Sequence, residues 1–285
     1  MAAPVTRVGI GGWTFEPWRG VFYPKGLKQA EELSYASRKL TSIEINATFY
    51  RTQSAQSFRR WAADTPDDFV FSVKAPRTAT QRKILAEARP SIERFLDSGI
   101  TELGPKLGPI LWQFAPWTAF HTDDFAAFLA LLPKTRNAQP LRHAVEVRHK
   151  SFGTPDFVGL LRQHQAAVVF VDSEKHPPIP DVTADFVYAR LERTLKDEPT
   201  GYPPAALDQW VKRIRQWEKG AVPSDLPALA APAAAGPRDC FIYFISGAKE
   251  KAPLAAMALI EHLEDKGKIA MTTNKPRRAA SQISD

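Results

Sequence analysis

The chain has 285 residues, 44% hydrophobic and 24% charged, with 38 Lys and Arg against 31 Asp and Glu for a net charge of +7. This is the balance of a globular protein with a sizeable core, and no run approaches the roughly 18 apolar residues of a membrane span. Cys240 is the single cysteine, which excludes an intrachain disulfide and a thiolate metal cluster.

The opening "MAAPVTRVGIGG" lacks the basic-then-apolar order of a secretory leader, so a cytoplasmic location is expected. "RVGIGG" (7–12) is the first strand candidate, followed by a periodic helical stretch at 28–39. "SIEIN" (42–46) and a helix at 54–64 come next, then "FVFSVK" (69–74) with a helix at 90–98. "PILWQF" (109–114) precedes "TDDFAAFLALL", whose apolar spacing predicts a helix over 122–132 with Thr122 as its N-cap. "HAVEVR" (143–148) leads to a helix at 154–164, and "AVVFVD" (167–172) to "SEKHPPIPDVTA", which has too much proline for a helix. "FVYARL" (186–191) is followed by a helix at 204–217 and by "AVPSDLPALAAPAAAGP", an Ala/Pro-rich insertion that reads as a flexible surface excursion. "CFIYFI" (240–245) and a helix at 253–265 close the series; residues 266–285 form a basic tail expected to be disordered. Eight strands alternating with helices predict an α/β fold, a (β/α)8 TIM-barrel-like single domain over 1–265 with the insertion before its last strand.

Barrel strands bury both faces, one under the helices and one in the lumen. The aliphatic faces, Ile43 with Ile45 and Val145 with Val147, belong under the helices, which sends Glu44 and Asn46, and Glu146 and Arg148, inward. By the same reasoning the site gathers Ser72 and Lys74, Gln113, Asp172, and Arg190 two residues after Tyr188. All lie near strand C-termini, where TIM-barrel active sites are built. The bland alternative is a set of mutual ion pairs, Glu44 with Lys74 and Glu146 with Arg148.

In this context the chain resembles the DUF72 (YecE-like) family, from about Val8 to Leu263. The resemblance is carried by "GIGGWTFEPWRGVFYP" (9–24), "EINATFY" (44–50), "FVFSVKAPRT" (69–78), "KLGPILWQFAP" (106–116), "VEVRHKSF" (145–152) and "TADFVYARL" (183–191). It implies a TIM-barrel-like fold and leaves the reaction open. The chain departs from the family pattern at Gln81 after Thr80, at Glu192 and Arg193 after Leu191, at Ser246 after strand eight, and at Phe152, where a tryptophan is usual. These departures point to an altered or lost ancestral activity.

The chemistry expected is that of an enzyme, a hydrolase or isomerase, acting on a small anionic molecule, phosphorylated or sugar-like. Glu44 and Glu146, with Asp172, supply acid and base; Lys74, Arg148 and Arg190 hold the anion; Asn46 and Gln113 orient it. Trp13 and Tyr50, with Trp18, Tyr23 and Phe49, offer an aromatic wall, or else pack the loops over the mouth. No nucleotide motif appears, and no cofactor is expected. A divalent metal on carboxylates with His149 is a minor alternative, since the six histidines show no HxxxH or HxH pair. "SGAKEKAP", with Gly247, is a weak candidate phosphate cup, and Cys240 sits at the wrong end of its strand for catalysis. The rival reading is a non-catalytic nucleic-acid binder using "RHAVEVRHK" and the tail cations Lys275, Arg277 and Arg278. No membrane association is expected, and the sequence assigns no oligomeric state.

Overall fold

The computed structural model describes residues 3–273. Eight parallel strands close into a barrel: β1 (Thr6–Gly11), β2 (Ser42–Ile45), β3 (Val70–Lys74), β4 (Leu107–Gln113), β5 (His143–Glu146), β6 (Ala167–Asp172), β7 (Phe186–Leu191) and β8 (Asp239–Phe244). Each strand pairs with its sequence neighbours, and β1 pairs with β8 to close the ring, Thr6 opposite Cys240 and Ile10 opposite Phe244. The principal helices are α1 (Ala55–Ala63), α2 (Arg89–Leu96), α3 (Thr122–Ala130), α4 (Pro155–His164), α5 (Pro204–Glu218) and α6 (Ala252–Thr273). No helix of the described residues is long and apolar enough to cross a membrane.

The alternation along each strand fixes what faces the lumen. Ile43, Ile45, Val145, Trp112 and Phe170 join the large outer core beneath the helices. Leu111, Ala144, Val169, Val171, Tyr188 and Tyr243 form a separate inner cluster. Hydroxyls tie that inner layer: Ser42 Oγ lies 2.7 Å from Tyr243 Oη, and Ser72 Oγ lies 2.9 Å from Tyr188 Oη. Two glycines of β1 face inward. A Cβ at Gly9 would lie 1.9 Å from the Ser42 carbonyl oxygen, so β1 and β2 approach closely only because it is absent.

Three local expectations change. Thr122 is the first residue of α3 rather than its cap; His121 takes the cap position without a side-chain bond. One of the two acids of that first turn, Asp124, instead accepts hydrogen bonds from Leu85 N (3.0 Å) and Ala86 N (2.9 Å) of the connection between β3 and α2. The Ala/Pro-rich insertion is pinned rather than free. Asp181 accepts from Leu229 N (2.8 Å) and Ala230 N (2.9 Å), while Arg238 donates to the carbonyls of Ala234 (2.7 Å) and Gly236 (2.9 Å). The proline-rich link between β6 and β7 contains no helix, as its composition predicts. Helix α6 runs on to Thr273, past the expected start of the tail, and Lys275, Arg277 and Arg278 lie outside the described residues.

Candidate functional site

At the C-terminal end of the lumen, β2, β3, β4 and β5 each deliver one polar side chain, and β7 delivers two, to one buried cluster. Glu44 and Glu146 are fully buried, and Arg190 is 2% exposed between them. Arg190 donates from Nε and Nη2 to the two oxygens of Glu44, each at 3.2 Å, and from Nη1 to Glu146 Oε2 at 2.6 Å. Tyr188 Oη donates to Glu44 Oε2 at 2.6 Å. Glu146 Oε1 accepts from Gln113 Nε2 and from Arg148 Nε, both at 2.8 Å. The inward placement of Glu44, Lys74, Gln113, Glu146 and Arg190 follows the alternation read from the sequence. The pairing does not: Arg148 reaches Glu146 as expected, but Glu44 pairs with Arg190 instead of Lys74.

These contacts decide the charge states. Burial would raise the Glu146 carboxyl, yet Arg190, Arg148, Lys74 and Gln113 together hold it at about 2. A carboxylate so held, with both oxygens engaged, is an ionised anchor rather than a proton carrier near neutral pH. Burial opposes the charge of Arg190, and the two glutamates more than restore it. Burial pushes the Tyr188 phenol well up, with Glu44 adding to it, so it remains a donor.

Lys74 differs. It is 7% exposed, and among the described residues its Nζ has no hydrogen-bond or ion-pair partner; it sits 4.2 Å over the ring of Phe49. Burial lowers its pKa to about 8, Arg190 pushes the same way, and the two glutamates pull back only in part. The cluster therefore contains one cation whose donors are unspent and whose proton is exchangeable near neutrality.

The other candidates are dispersed. Asn46 lies at the mouth, its Nδ2 3.4 Å from the Glu44 carbonyl oxygen, facing the inward position of Gly11. Tyr50 is exposed on the rim, edge-on to Phe49. Trp13 belongs to the outer layer, 5.2 Å from Trp61 of α1 and 6.5 Å from Phe71, and its carbonyl accepts from Tyr23 Oη. Trp18 and Tyr23 are likewise buried, so that part of the aromatic wall is loop packing. Asp172 shares the outer face with Phe170, which stacks near Trp210 of α5. Its carboxylate is bound by Arg193 Nε at 3.0 Å and lines a cleft of about 680 Å³ with Tyr202 and Arg213, outside the lumen cluster. Placing Asp172 with the inward acids is corrected by this one-residue difference in parity.

Among the described residues no three His, Cys, Asp or Glu side chains form a group that could hold a metal ion; His149 Nδ1 faces Ser151 Oγ at 2.8 Å. Cys240 is buried at the N-terminal end of β8. The candidate phosphate cup packs on Thr194, which donates from Oγ1 to the Ser246 carbonyl and whose carbonyl accepts from Ala248 N, taking one of the cup's N–H groups. Of the departures from the family pattern, Gln81 is exposed and Phe152 is buried among Phe120, Phe125 and Phe157. Glu192 does reach the cluster, 3.8 Å from Arg190 and 4.0 Å from Arg148.

Two site residues escaped the sequence reading. Tyr188 shows the inward parity of Arg190, but nothing marks a buried phenol as a carboxylate donor. His176, from the proline-rich link, has a buried Nδ1 without a partner and feels Arg148, Glu192 and Glu146. Its loop carries no periodicity from which its position could be read.

The family model described as "Protein of unknown function DUF72" matches residues 7–280. The UPF0759 protein YecE of Escherichia coli (strain K12) is 30% identical over 241 residues, covering 76% of this chain and 83% of YecE. The UPF0759 protein YunF of Bacillus subtilis (strain 168) is 28% identical over 155 residues, and the match spans about half of each chain, 53%. A crystal structure of a DUF72 family protein from Thermotoga maritima MSB8 aligns with a TM-score of 0.68 at 26% identity, covering 91% of this chain and 99% of that one. The ordered motifs, the closed barrel and these matches agree: the chain belongs to the DUF72 family.

Proposed function

We propose that this protein is an enzyme acting on a small anionic substrate, phosphorylated or sugar-like, at the C-terminal mouth of its barrel. The observation that carries the reading is Lys74. A largely buried ammonium that rests on the Phe49 ring and, among the described residues, has no hydrogen-bond or ion-pair partner carries a desolvation cost that a ligand anion would offset. Arg148, whose Nη atoms lie near the mouth beyond the end of β5, supplies a second set of donors to the same anion. Glu44 and Glu146 act by holding Arg190 and Arg148 in place, and Lys74, with its pKa of about 8, moves the proton. Asn46 and Gln113 orient the substrate, and Tyr50 flanks it on the rim.

The nucleic-acid alternative draws less support from the fold. Arg142 and Arg148 of "RHAVEVRHK" lie at opposite ends of β5, and Arg142 is paired with Asp239 at 2.8 Å. The test is thermal shift of wild type and K74M against a panel of sugar phosphates, inorganic phosphate and short single-stranded DNA. Stabilisation of wild type by a sugar phosphate, lost in K74M, is the expected result. Stabilisation by DNA alone, equal in both proteins, would overturn the reading.

A further inference from the structure

A cleft of about 880 Å³ opens at the other end of the barrel, beside the starts of β5, β6, β7 and β8 and between the C-terminal ends of α3 and α4. Its volume is that of a small-molecule site, and Leu129, Leu132 and Val182 give it apolar walls. Four cations line it, Lys134, Arg142, Arg162 and Arg238, against the carboxylate of Asp185. Arg142 is accounted for by Asp239 at 2.8 Å and Asp185 at 3.6 Å.

Among the described residues the other three have no carboxylate within ion-pair distance, although Asp185 acts on Arg238 through space. Lys134 Nζ donates to Gln165 Oε1 at 2.9 Å. Arg238, 8% exposed, spends its guanidinium on the carbonyls of Ala184, Gly236 and Ala234. Arg162 donates from Nε to the Val182 carbonyl at 3.2 Å, while its Nη2 is buried and, among the described residues, has no hydrogen-bond partner. The ends of α3 and α4 offset part of this charge, by about half an elementary charge each. Arg142 meets two carboxylates with one charge, so the group keeps roughly +1 beside an unsatisfied donor. Burial works against the charge on Arg238, Asp185 partly supports it, and Arg162 works against it.

We propose that this cleft is a second ligand site, separate from the barrel mouth, for a small molecule bearing a phosphate or pyrophosphate group. The Arg162 guanidinium, turning to bring its buried Nη2 into the cleft, and Lys134 contact the anion, Arg238 supplies fixed positive charge, and the pinned insertion at Ala233 and Ala234 forms one wall. A concave cleft of this volume lined by four cations and one carboxylate suits a multiply charged anion better than a monocarboxylate, and suits a small molecule better than a duplex backbone.

The experiment is calorimetric titration with inorganic pyrophosphate at constant ionic strength, using wild type, R162Q, K134Q and K74M. The expected result is a saturable site in wild type that is retained in K74M, and is weakened about tenfold or more in R162Q and several-fold in K134Q. If R162Q does not fold, exposed Lys134 carries the same test. No binding to wild type, or binding unchanged in both cleft variants, would overturn the proposal. Loss of binding in K74M would place the anion at the mouth, and tighter binding of duplex DNA than pyrophosphate would make the cleft a nucleic-acid contact; either refutes it.

Discussion

Replacing Arg190 by leucine removes the cation that Glu44 and Glu146 share while leaving both carboxylates buried. Removing one partner from a buried ion pair costs roughly 3–5 kcal/mol, because the remaining charge is uncompensated. For a chain of this size, at roughly 2 °C per kcal/mol, that lowers the melting temperature by about 6–10 °C. The loss should depend on pH. In the wild type, Glu146 is held at about 2 against an ordinary 4.5, which contributes about 3 kcal/mol above the ordinary value and is lost as pH falls through about 2. In R190L the burial remains without its main counter-charge, so the carboxyl titrates upward and a proton relieves the penalty. Urea unfolding at pH 7, 5 and 4 should therefore show a deficit that narrows as the solution becomes acidic. R190K, which keeps the charge without the fork, should recover part of it. A deficit under about 1 kcal/mol, or one equal at pH 7 and pH 4, would refute the account of the cluster.

K74M should stabilise the protein while abolishing ligand response. Below pH 8 the lysine is charged both folded and unfolded, and the gap from 10.5 to about 8 opposes folding by about 3 kcal/mol; above pH 10.5 it is neutral in both states and costs nothing. Denaturant unfolding should show K74M gaining about 1–3 kcal/mol at pH 7 and nothing above pH 10.5, and a loss at pH 7 would count against an ammonium held by no ion pair. G9A should fail to fold to a soluble product, since its Cβ meets the Ser42 backbone. G11A meets only the ends of Asn46 and Ile245, at 2.8 and 3.0 Å, and should fold while weakening ligand response at the mouth; soluble yield and thermal shift separate the two. D181A should free Leu229 and Ala230, so limited proteolysis should cut the 221–237 segment sooner than in wild type.

How far the fold and site were legible depends on the physics behind each residue. Period-two alternation is imposed by the strand itself, so Ile43 with Ile45 and Val145 with Val147 identify the inward direction of Glu44 and Glu146 without any tertiary information. The same rule, applied to Phe170 as an outer residue, would have turned Asp172 outward. Its acidic character and terminal position drew it into the site instead. Partner choice was not legible. Whether Glu44 meets Lys74 on the adjacent strand or Arg190 across the ring depends on side-chain length and strand stagger, which no local pattern records. Trp13 and His176 failed for the same reason, since loops place side chains by their three-dimensional path.

The Glu44–Arg190 contact joins residues 146 positions apart, and Ser42 with Tyr243 joins residues 201 apart. A nascent chain that has emerged only as far as β4 would hold Glu44 and Lys74 with neither Arg190 nor Glu146 yet synthesised. Its half-barrel could not close over those charges at acceptable cost. The polar cluster thus makes the two halves obligate partners in folding: the amino-terminal half waits, hydrated, until the seventh strand arrives.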